Sequence, residues 1–143
     1  MTAAAAPHRF DIRVYYEDTD FSGVVYHASY LRFLERGRTE FLRELGIHQA
    51  AIHAGPADAA FTFAVRSMQI DFRRPARMDD IVTVETWPLD VGGASVELVQ
   101  RVLRGTDVLV SAQVRVACVA GGRAVRLPPG VRAKMNRAKA IVP

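Results

Sequence analysis

The chain has 143 residues, of which half are hydrophobic, with a net charge of +4 and a single cysteine. Such a length fits one domain, predicted over residues 1–143, and leaves no room for a second enzyme domain. One cysteine excludes an internal disulfide, the first residues do not resemble a signal peptide, and no apolar run approaches the ~20 residues of a membrane span. The basic residues are scattered, whereas nucleic-acid binding requires a continuous basic surface. We therefore predict a cytoplasmic protein without stable membrane insertion and without a nucleic-acid partner.

The first half of the chain is predicted to hold one strand and one long helix. Residues 1–7 are predicted to be disordered, and apolar residues then alternate from Phe10 to Tyr16, which is typical of a half-buried strand. An acidic turn follows. Apolar residues at three- and four-residue spacing then predict a helix from about Val25 to Leu45. Gly37 lies on the apolar face of this helix, where a glycine is expected to allow close approach of another backbone.

The second half is predicted to be a series of strands connected by glycine turns. Residues 48–58 are predicted to be a loop, and all segments from Ala59 to the prolines at 128–129 are predicted as strands or turns. The apolar phase shifts by one residue between 61–65 and 68–72, which indicates a bulge or a strand buried on both faces. Pro88 is expected to mark the end of a strand or an edge. A short basic helix closes the chain.

This order of elements predicts an α+β fold, with an antiparallel sheet of about five strands and one long helix on one face. Several strands look apolar on both sides, and the chain offers no second helix layer to cover the other face. The pattern therefore favours a dimer or a larger assembly.

Three acidic residues concentrate in the turn before the helix: Glu17, Asp18 and Asp20. The run from Asp18 to Gly23 matches the first half of a calcium loop, but Ser29 stands where a bidentate glutamate is required. His27 could join Asp20 on a transition metal, but two ligands without a third make a weak site. We therefore predict no metal.

Nucleophilic serine and cysteine chemistry find little support in the sequence. The segment Gly93–Glu97 resembles a serine nucleophile elbow but lacks its second glycine and a following helix. Cys118 belongs to an alternating apolar strand and is predicted to lie in the core.

A carboxylate close to a helix start offers a different chemistry. Backbone N–H groups at the helix N-terminus can polarise a carbonyl oxygen, and Asp20 could attack the carbonyl carbon or take a proton from water. The alternative is that Asp20 only caps the helix, because Asp is among the preferred N-cap residues. The sequence pattern by itself leaves both open.

Three segments carry a family resemblance: Tyr15–Asp20, Gly23–Tyr30 and Glu35–Glu40. They resemble the signature of hot-dog-fold acyl-CoA thioesterases of the 4-hydroxybenzoyl-CoA thioesterase-like group, in its Tol–Pal-associated (YbgC-type) branch. The resemblance is densest from about Arg13 to Leu45 and extends over nearly the whole chain.

The resemblance implies a fold, an assembly and a mechanism. A curved sheet would wrap around the long helix, two protomers would join their sheets edge to edge, and dimers would pair into a tetramer. Asp20 would be the catalytic carboxylate, as nucleophile or general base, and the His27 backbone N–H would polarise the thioester carbonyl. Tyr16 and the His27 side chain would line the site, whereas Glu17 and Asp18 would form the turn. No cofactor is implied, since coenzyme A is part of the substrate, and acyl carrier protein is a possible alternative donor.

Further positions are predicted to contact the substrate. Phe21 stands where many members of the family have a small residue, so it could narrow the acyl pocket. The predicted substrate-binding residues are Phe21, Gly23, Val24, Tyr26, Arg73, Arg74 and Arg77, and Arg104, Arg132 and Lys134 are additional candidates for the coenzyme A phosphates.

Two alternative functions remain open. A hot-dog dehydratase or hydratase would use His27 together with Glu35 or Glu40. A non-catalytic module would bind acyl thioesters or an envelope complex without turnover.

Overall fold

The computed structural model describes residues 6–48 and 61–139. A six-stranded antiparallel sheet has the order β1-β3-β4-β5-β2, with the two-residue β6 paired to β5. The predicted α+β architecture is confirmed. The elements are β1 (His8–Arg13), α1 (His27–Glu44), β2 (Thr62–Phe72), β3 (Ile81–Val91), β4 (Ser95–Arg104), β5 (Asp107–Ala120), β6 (Arg123–Ala124) and α2 (Pro129–Ala138).

Helix α1 packs on one face of the sheet, against β1 and β3. Its apolar stripe, which includes Tyr30, Phe33 and Leu34, is buried in the central core cluster. The helix begins at His27 rather than at about Val25, because Val24 and Val25 form isolated β-bridges with Arg77 and Thr19. These bridges hold the two residues in an extended conformation up to the helix start.

Gly37 allows the sheet to approach α1 closely, as predicted, although the neighbour is a side chain rather than a backbone. A Cβ atom built on Gly37 would lie 2.5 Å from Cγ1 of Val84 and 3.3 Å from Nε2 of Gln100. Because the helix and the sheet are this close, Gln100 bonds to both: its Nε2 donates to the Leu34 carbonyl oxygen and to Thr86 Oγ1, each at 2.9 Å. A fully buried amide is thereby satisfied between the helix and the sheet.

Strand β2 contains the bulge that the shift in apolar phase predicted. Its register against β5 shifts between Val65 and Ser67, so that Arg66 is the extra residue. The bulge keeps both apolar sets on the same side of the strand, since Val65 and Met68 pair with the buried Val116 and Val114. Strand β2 ends the sheet and pairs with β5 alone, which leaves its other edge free among the described residues.

Of the two positions expected for Pro88, the end of a strand or an edge, the structure shows an edge position within β3. Pairing between β1 and β3 stops at Thr86, and the register against β4 shifts between Pro88 and Asp90. Among the described residues Pro88 therefore has a single neighbouring strand and lies at a local irregularity, and both accommodate a residue without a backbone N–H.

The face of the sheet away from α1 is partly covered by the chain's own charged side chains. The buried Glu85 carboxylate accepts hydrogen bonds from Arg101, at 2.7 and 3.0 Å, and from Arg9. The Arg101 guanidinium carbon lies 5.3 Å from the centre of the Trp87 ring. This cluster supplies part of the cover for the second face of the sheet, which the sequence pattern predicts to be absent from the chain.

Two predicted segments lie almost entirely outside the described residues. The predicted loop at 48–58 lies outside the described residues except for His48, and the predicted disorder at 1–7 lies outside them except for Ala6 and Pro7.

Within residues 6–48 and 61–139, no helix has the length and apolar character needed to cross a membrane.

Candidate active site

Asp18 organises the turn that leads to the helix. Its buried carboxylate accepts a hydrogen bond from the Tyr15 backbone N–H at 2.8 Å, across a single 3₁₀ turn. Its carbonyl oxygen accepts the N–H of Tyr26 at 2.9 Å. Both bonds are internal to the loop, so Asp18 positions the chain just before α1 rather than facing a ligand.

Asp20 begins a tight turn that ends at Gly23. The Gly23 N–H donates to the Asp20 carbonyl oxygen at 3.0 Å, and the Asp20 N–H donates to the Val24 carbonyl oxygen at 2.9 Å. Gly23 has a φ of +85°, a left-handed conformation that glycine adopts without strain. The turn exposes the Asp20 carboxylate at its start and Phe21 at its corner.

Ser22 holds the Asp20 carboxylate in its ionised form. The Ser22 hydroxyl donates to Asp20 Oδ1 at 2.6 Å, and its backbone N–H donates to the same oxygen at 2.9 Å. The hydroxyl is the largest cause of a lowered Asp20 pKa, against a smaller opposing effect of burial. Donors to a carboxylate favour its charged form. Asp20 is therefore an anion over the whole neutral range.

The alternative in which Asp20 caps the helix is wrong. The N-cap residue of α1 is Tyr26, which makes no side-chain capping bond, and the Asp20 carboxylate is directed to Ser22 instead.

The lowered pKa predicts a shifted pH profile in a Ser22→Ala variant. If hydrolysis requires ionised Asp20, activity is lost as pH falls through the Asp20 pKa, which lies below its usual value. Removing the hydroxyl should raise that pKa, so the acidic limb of the kcat/KM profile should move to higher pH. Initial rates across an acidic pH series measure this shift. If the acidic limb of the profile does not move in Ser22→Ala, the ionisation of Asp20 does not control activity.

The helix start presents free backbone N–H groups. No acceptor among the described residues receives the N–H of His27, whereas the N–H of Ser29 turns back to the Tyr26 carbonyl oxygen at 2.8 Å. The first turn of α1 contains no acidic side chain. The partial positive charge of the N-terminus is therefore not neutralised within its own helix.

A cavity of about 250 Å³ opens beside this helix start. The His27 ring at its wall lies 4.5 Å from the Tyr26 ring and 6.1 Å from the Phe72 ring, measured between centroids. The cavity thus has apolar and cationic walls beside the helix start, and a backbone N–H donor placed there can stabilise the negative charge that develops in acyl transfer. Its lining residues are Val25, His27, Tyr30, Phe72, Arg73, Arg74 and Pro75.

Several predicted contact residues, and Asp20 itself, are not among the residues that line this cavity. Val24 bridges to Arg77, and Tyr26 precedes the helix with its side chain 46% exposed. Tyr16 is 81% exposed and Phe21 is fully exposed, so neither side chain reaches the cavity of its own chain. Their predicted roles in the site stay predictions.

The predicted basic residues divide into two groups. Arg73, Arg74, Arg77 and Arg104 lie on or against the segment that borders the cavity, where Arg104 donates to Asp80 at 2.8 Å. Arg132 instead donates to the Gly92 carbonyl oxygen at 2.8 Å, and Lys134 lies beside Gly46, past the opposite end of α1. Only the first group is close to the helix start.

The acidic turn does not assemble metal ligands. The Asp18 and Asp20 carboxylates are each bonded to their own turn, at Tyr15 and Ser22. No group of three or more His, Cys, Asp or Glu side chains is placed to hold a metal ion in the part of the chain that the structure describes. The absence of a metal requirement stays a prediction.

Cys118 lies in the core, as predicted. It is completely buried, and burial raises the pKa of its thiol, which disfavours the reactive thiolate.

Sequence reasoning missed the part that Tyr30 and Ala76 play in the site. Tyr30 was recognised only as an apolar helix position, yet its hydroxyl oxygen accepts the Ala76 N–H at 3.0 Å. The two residues are 46 positions apart, and the hydroxyl of a tyrosine within an apolar stripe is the only local signal.

Comparison with known proteins identifies the family. The model of the thioesterase-like superfamily matches residues 14–135. The chain belongs to this superfamily. It is 43% identical over 132 residues to the acyl-CoA thioesterase YbgC of Haemophilus influenzae, an alignment that covers 91% of this chain and 95% of that protein. It is also 43% identical over 112 residues to the acyl-CoA thioester hydrolase YbgC of Escherichia coli, covering 78% and 81%.

A solved structure supports the same assignment. A probable thioesterase from Bartonella henselae superposes with a TM-score of 0.82 and 45% identity, covering 86% of this chain and 100% of that one. The predictions of a hot-dog fold and of a thioester hydrolase are thereby confirmed.

Proposed function

We propose that this protein hydrolyses acyl-CoA thioesters, with Asp20 as the reacting carboxylate and the His27 backbone N–H as the donor to the carbonyl oxygen. The observation that carries the proposal is the His27 N–H, which has no acceptor among the described residues: His27 begins α1, lines the cavity and follows an ionised carboxylate by seven residues. The names of the relatives support acyl-CoA as the thioester class.

The chemistry follows from the polarity of the helix start. A thioester oxygen placed at the His27 N–H gains negative charge as the carbonyl carbon is attacked, and the helix N-terminus stabilises that charge. Asp20 either attacks the carbon and expels the thiolate, forming a mixed anhydride that water then cleaves, or removes a proton from a water that attacks the carbon, after which the C–S bond breaks and the thiolate leaves. In both routes one water is consumed and the products are a free acid and a thiol.

The coenzyme A phosphates are proposed to lie near Arg73, Arg74 and Arg77. The ion pairs that Arg73 and Arg74 already make, with Asp71 at 3.2 Å and Asp107 at 3.6 Å, join exposed side chains. Exposed pairs contribute only ~0–1 kcal/mol, so phosphate groups can compete for both guanidinium groups. Acyl carrier protein remains an alternative donor of the acyl group.

The hydratase alternative is less favoured by the helix geometry. Glu35 and Glu40 lie 8 and 13 residues after His27 on α1. At the helical rise these separations correspond to about 12 and 20 Å along the axis. His27 therefore has neither glutamate as a neighbour within its own chain.

A panel of purified acyl-CoA substrates tests the proposal. Short aliphatic, long aliphatic and aromatic thioesters should be compared by the rate of thiol release. Release of free coenzyme A from at least one class, in a reaction without added metal, is the expected result. Tight binding without release would favour the non-catalytic module, and water addition to an enoyl-CoA without thiol release would favour the hydratase.

We further propose that the protein assembles through the free edge of β2 into a homodimer, and that dimers pair into a tetramer. Exposed apolar side chains on β2 support this edge as the interface: Val65 is 47% exposed and Phe72 is 45% exposed. Its two charges, Arg66 and Asp71, can also face each other across an antiparallel pair of identical strands. Sedimentation equilibrium should give a dimer or tetramer, and a monomer at micromolar concentration would contradict this assembly. The cytoplasmic location and an association with the Tol–Pal system stay predictions.

A further inference from the structure

Ala76 joins the two halves of the proposed site. Its carbonyl oxygen accepts the Val25 N–H at 2.8 Å, two residues before the start of α1. Its own N–H donates to the Tyr30 hydroxyl oxygen at 3.0 Å, in the second turn of that helix. Ala76 is completely buried and Tyr30 is 3% exposed, so water cannot replace the Tyr30 oxygen without a rearrangement.

The same segment also holds the loop that carries Asp20. Arg77 forms a bridge with Val24, and the Val24 carbonyl oxygen accepts the Asp20 N–H at 2.9 Å. The Val24 carbonyl oxygen and the Val25 N–H belong to the same peptide unit, so hydrogen bonds lead from the Tyr30 hydroxyl, through Ala76 and the Val24–Val25 peptide, to the backbone N–H of Asp20. The backbone of Asp20 and the second turn of α1 are therefore connected across this segment as well as along the chain.

The ring of Tyr30 is itself fixed by packing. Its centroid lies 5.9 Å from that of Phe33 and 5.8 Å from that of Phe72, and the ring lines the cavity together with His27. Burial raises the pKa of the phenol, so the hydroxyl stays neutral through the working pH range. A neutral, immobilised hydroxyl is a suitable fixed acceptor for a backbone N–H.

We propose that Tyr30 is a positioning residue for thioester hydrolysis: its hydroxyl oxygen anchors Ala76 and thereby sets the distance between the Asp20 carboxylate and the His27 N–H. This inference rests on the proposed roles of Asp20 and His27. It adds that the relative placement of Asp20 and His27 depends on one hydroxyl in the second turn of α1.

The Tyr30→Phe variant tests the inference, with Thr86→Val as a matched control. Each change removes one buried hydroxyl that accepts a single hydrogen bond, since Thr86 Oγ1 accepts from Gln100 Nε2 in the core. Both variants should lose thermal stability. Only Tyr30→Phe should lower kcat, by about tenfold to 10²-fold, because a displacement near 1 Å at reacting groups has effects of that size. KM should change little, and Thr86→Val should keep the wild-type kcat.

Two further measurements separate positioning from other roles. Hydrogen exchange of the Ala76 and Val25 amides should accelerate in Tyr30→Phe and stay unchanged in Thr86→Val. The pH–rate profile of Tyr30→Phe should have the wild-type shape, with a lower rate at every pH. If the pH–rate profile of Tyr30→Phe loses its acidic or basic limb, the phenol acts directly in the reaction. If Tyr30→Phe keeps the wild-type kcat, Tyr30 has no role in it. Either result overturns the proposal. If Asp20 proves dispensable, the proposed function fails, while the exchange measurement still decides whether Tyr30 holds Ala76.

Discussion

Replacing Asp20 by Asn should lower kcat by about 10²–10⁴-fold, the range expected when a general base is removed, and more if the carboxylate is the nucleophile. The amide keeps the size of the carboxyl group and can still accept from Ser22, so the turn should stay folded. The physical reason for the loss is that a neutral amide neither attacks a carbonyl carbon nor removes a proton from water. Rates of thiol release from the best substrate of the panel measure the effect.

Asp11→Asn is the matched control for this variant. Asp11 is an exposed aspartate that likewise accepts from a hydroxyl, Thr83 Oγ1 at 2.7 Å, and it lies on β1 away from the cavity. Its replacement should leave kcat unchanged. Full turnover in both Asp20→Asn and Asp20→Ala would show that the catalytic carboxylate has been misassigned.

Replacing His27 by Pro should lower kcat by about 10²–10³-fold, the usual effect of removing one donor from an oxyanion site. The variant deletes a backbone N–H that has no acceptor among the described residues. Proline is well accepted at the first position of a helix. The preceding residue, Tyr26, already has the extended conformation that proline demands, with φ −63° and ψ 135°. The fold should therefore tolerate a change that removes the proposed donor.

His27→Ala separates the backbone from the imidazole. It removes the same side chain but keeps the N–H, so it should retain much more activity than His27→Pro. Circular dichroism and thermal unfolding check that both variants remain folded. If the two variants lose activity equally, the imidazole and not the N–H carries the effect of this residue. If His27→Pro keeps full kcat, the helix start does not bind the carbonyl oxygen.

The elements that could be predicted are those whose signal lies in neighbouring residues. Helix α1 follows from apolar residues spaced three and four apart, and the bulge in β2 follows from a one-residue shift of phase near Arg66. Both patterns arise because the side chains of one element must share a buried face. The start of α1 was placed two residues too early because the β-bridges of Val24 and Val25 involve Arg77 and Thr19 rather than the helix itself.

The sequence by itself determined the α+β class, the helix start next to an acidic turn, and Asp20 as the residue of interest within that turn. These are local properties, and the resemblance to hot-dog thioesterases rests on the same contiguous residues. Only the structure decided what Asp20 contacts: Ser22, two residues along the same turn, holds its carboxylate, and no helix N–H among the described residues does. It also decided which arginines border the cavity and that Tyr30 reaches Ala76. The contacts of Tyr30 and of these arginines join residues tens of positions apart, and their geometry exists only once the sheet has brought the 73–80 segment against the start of α1.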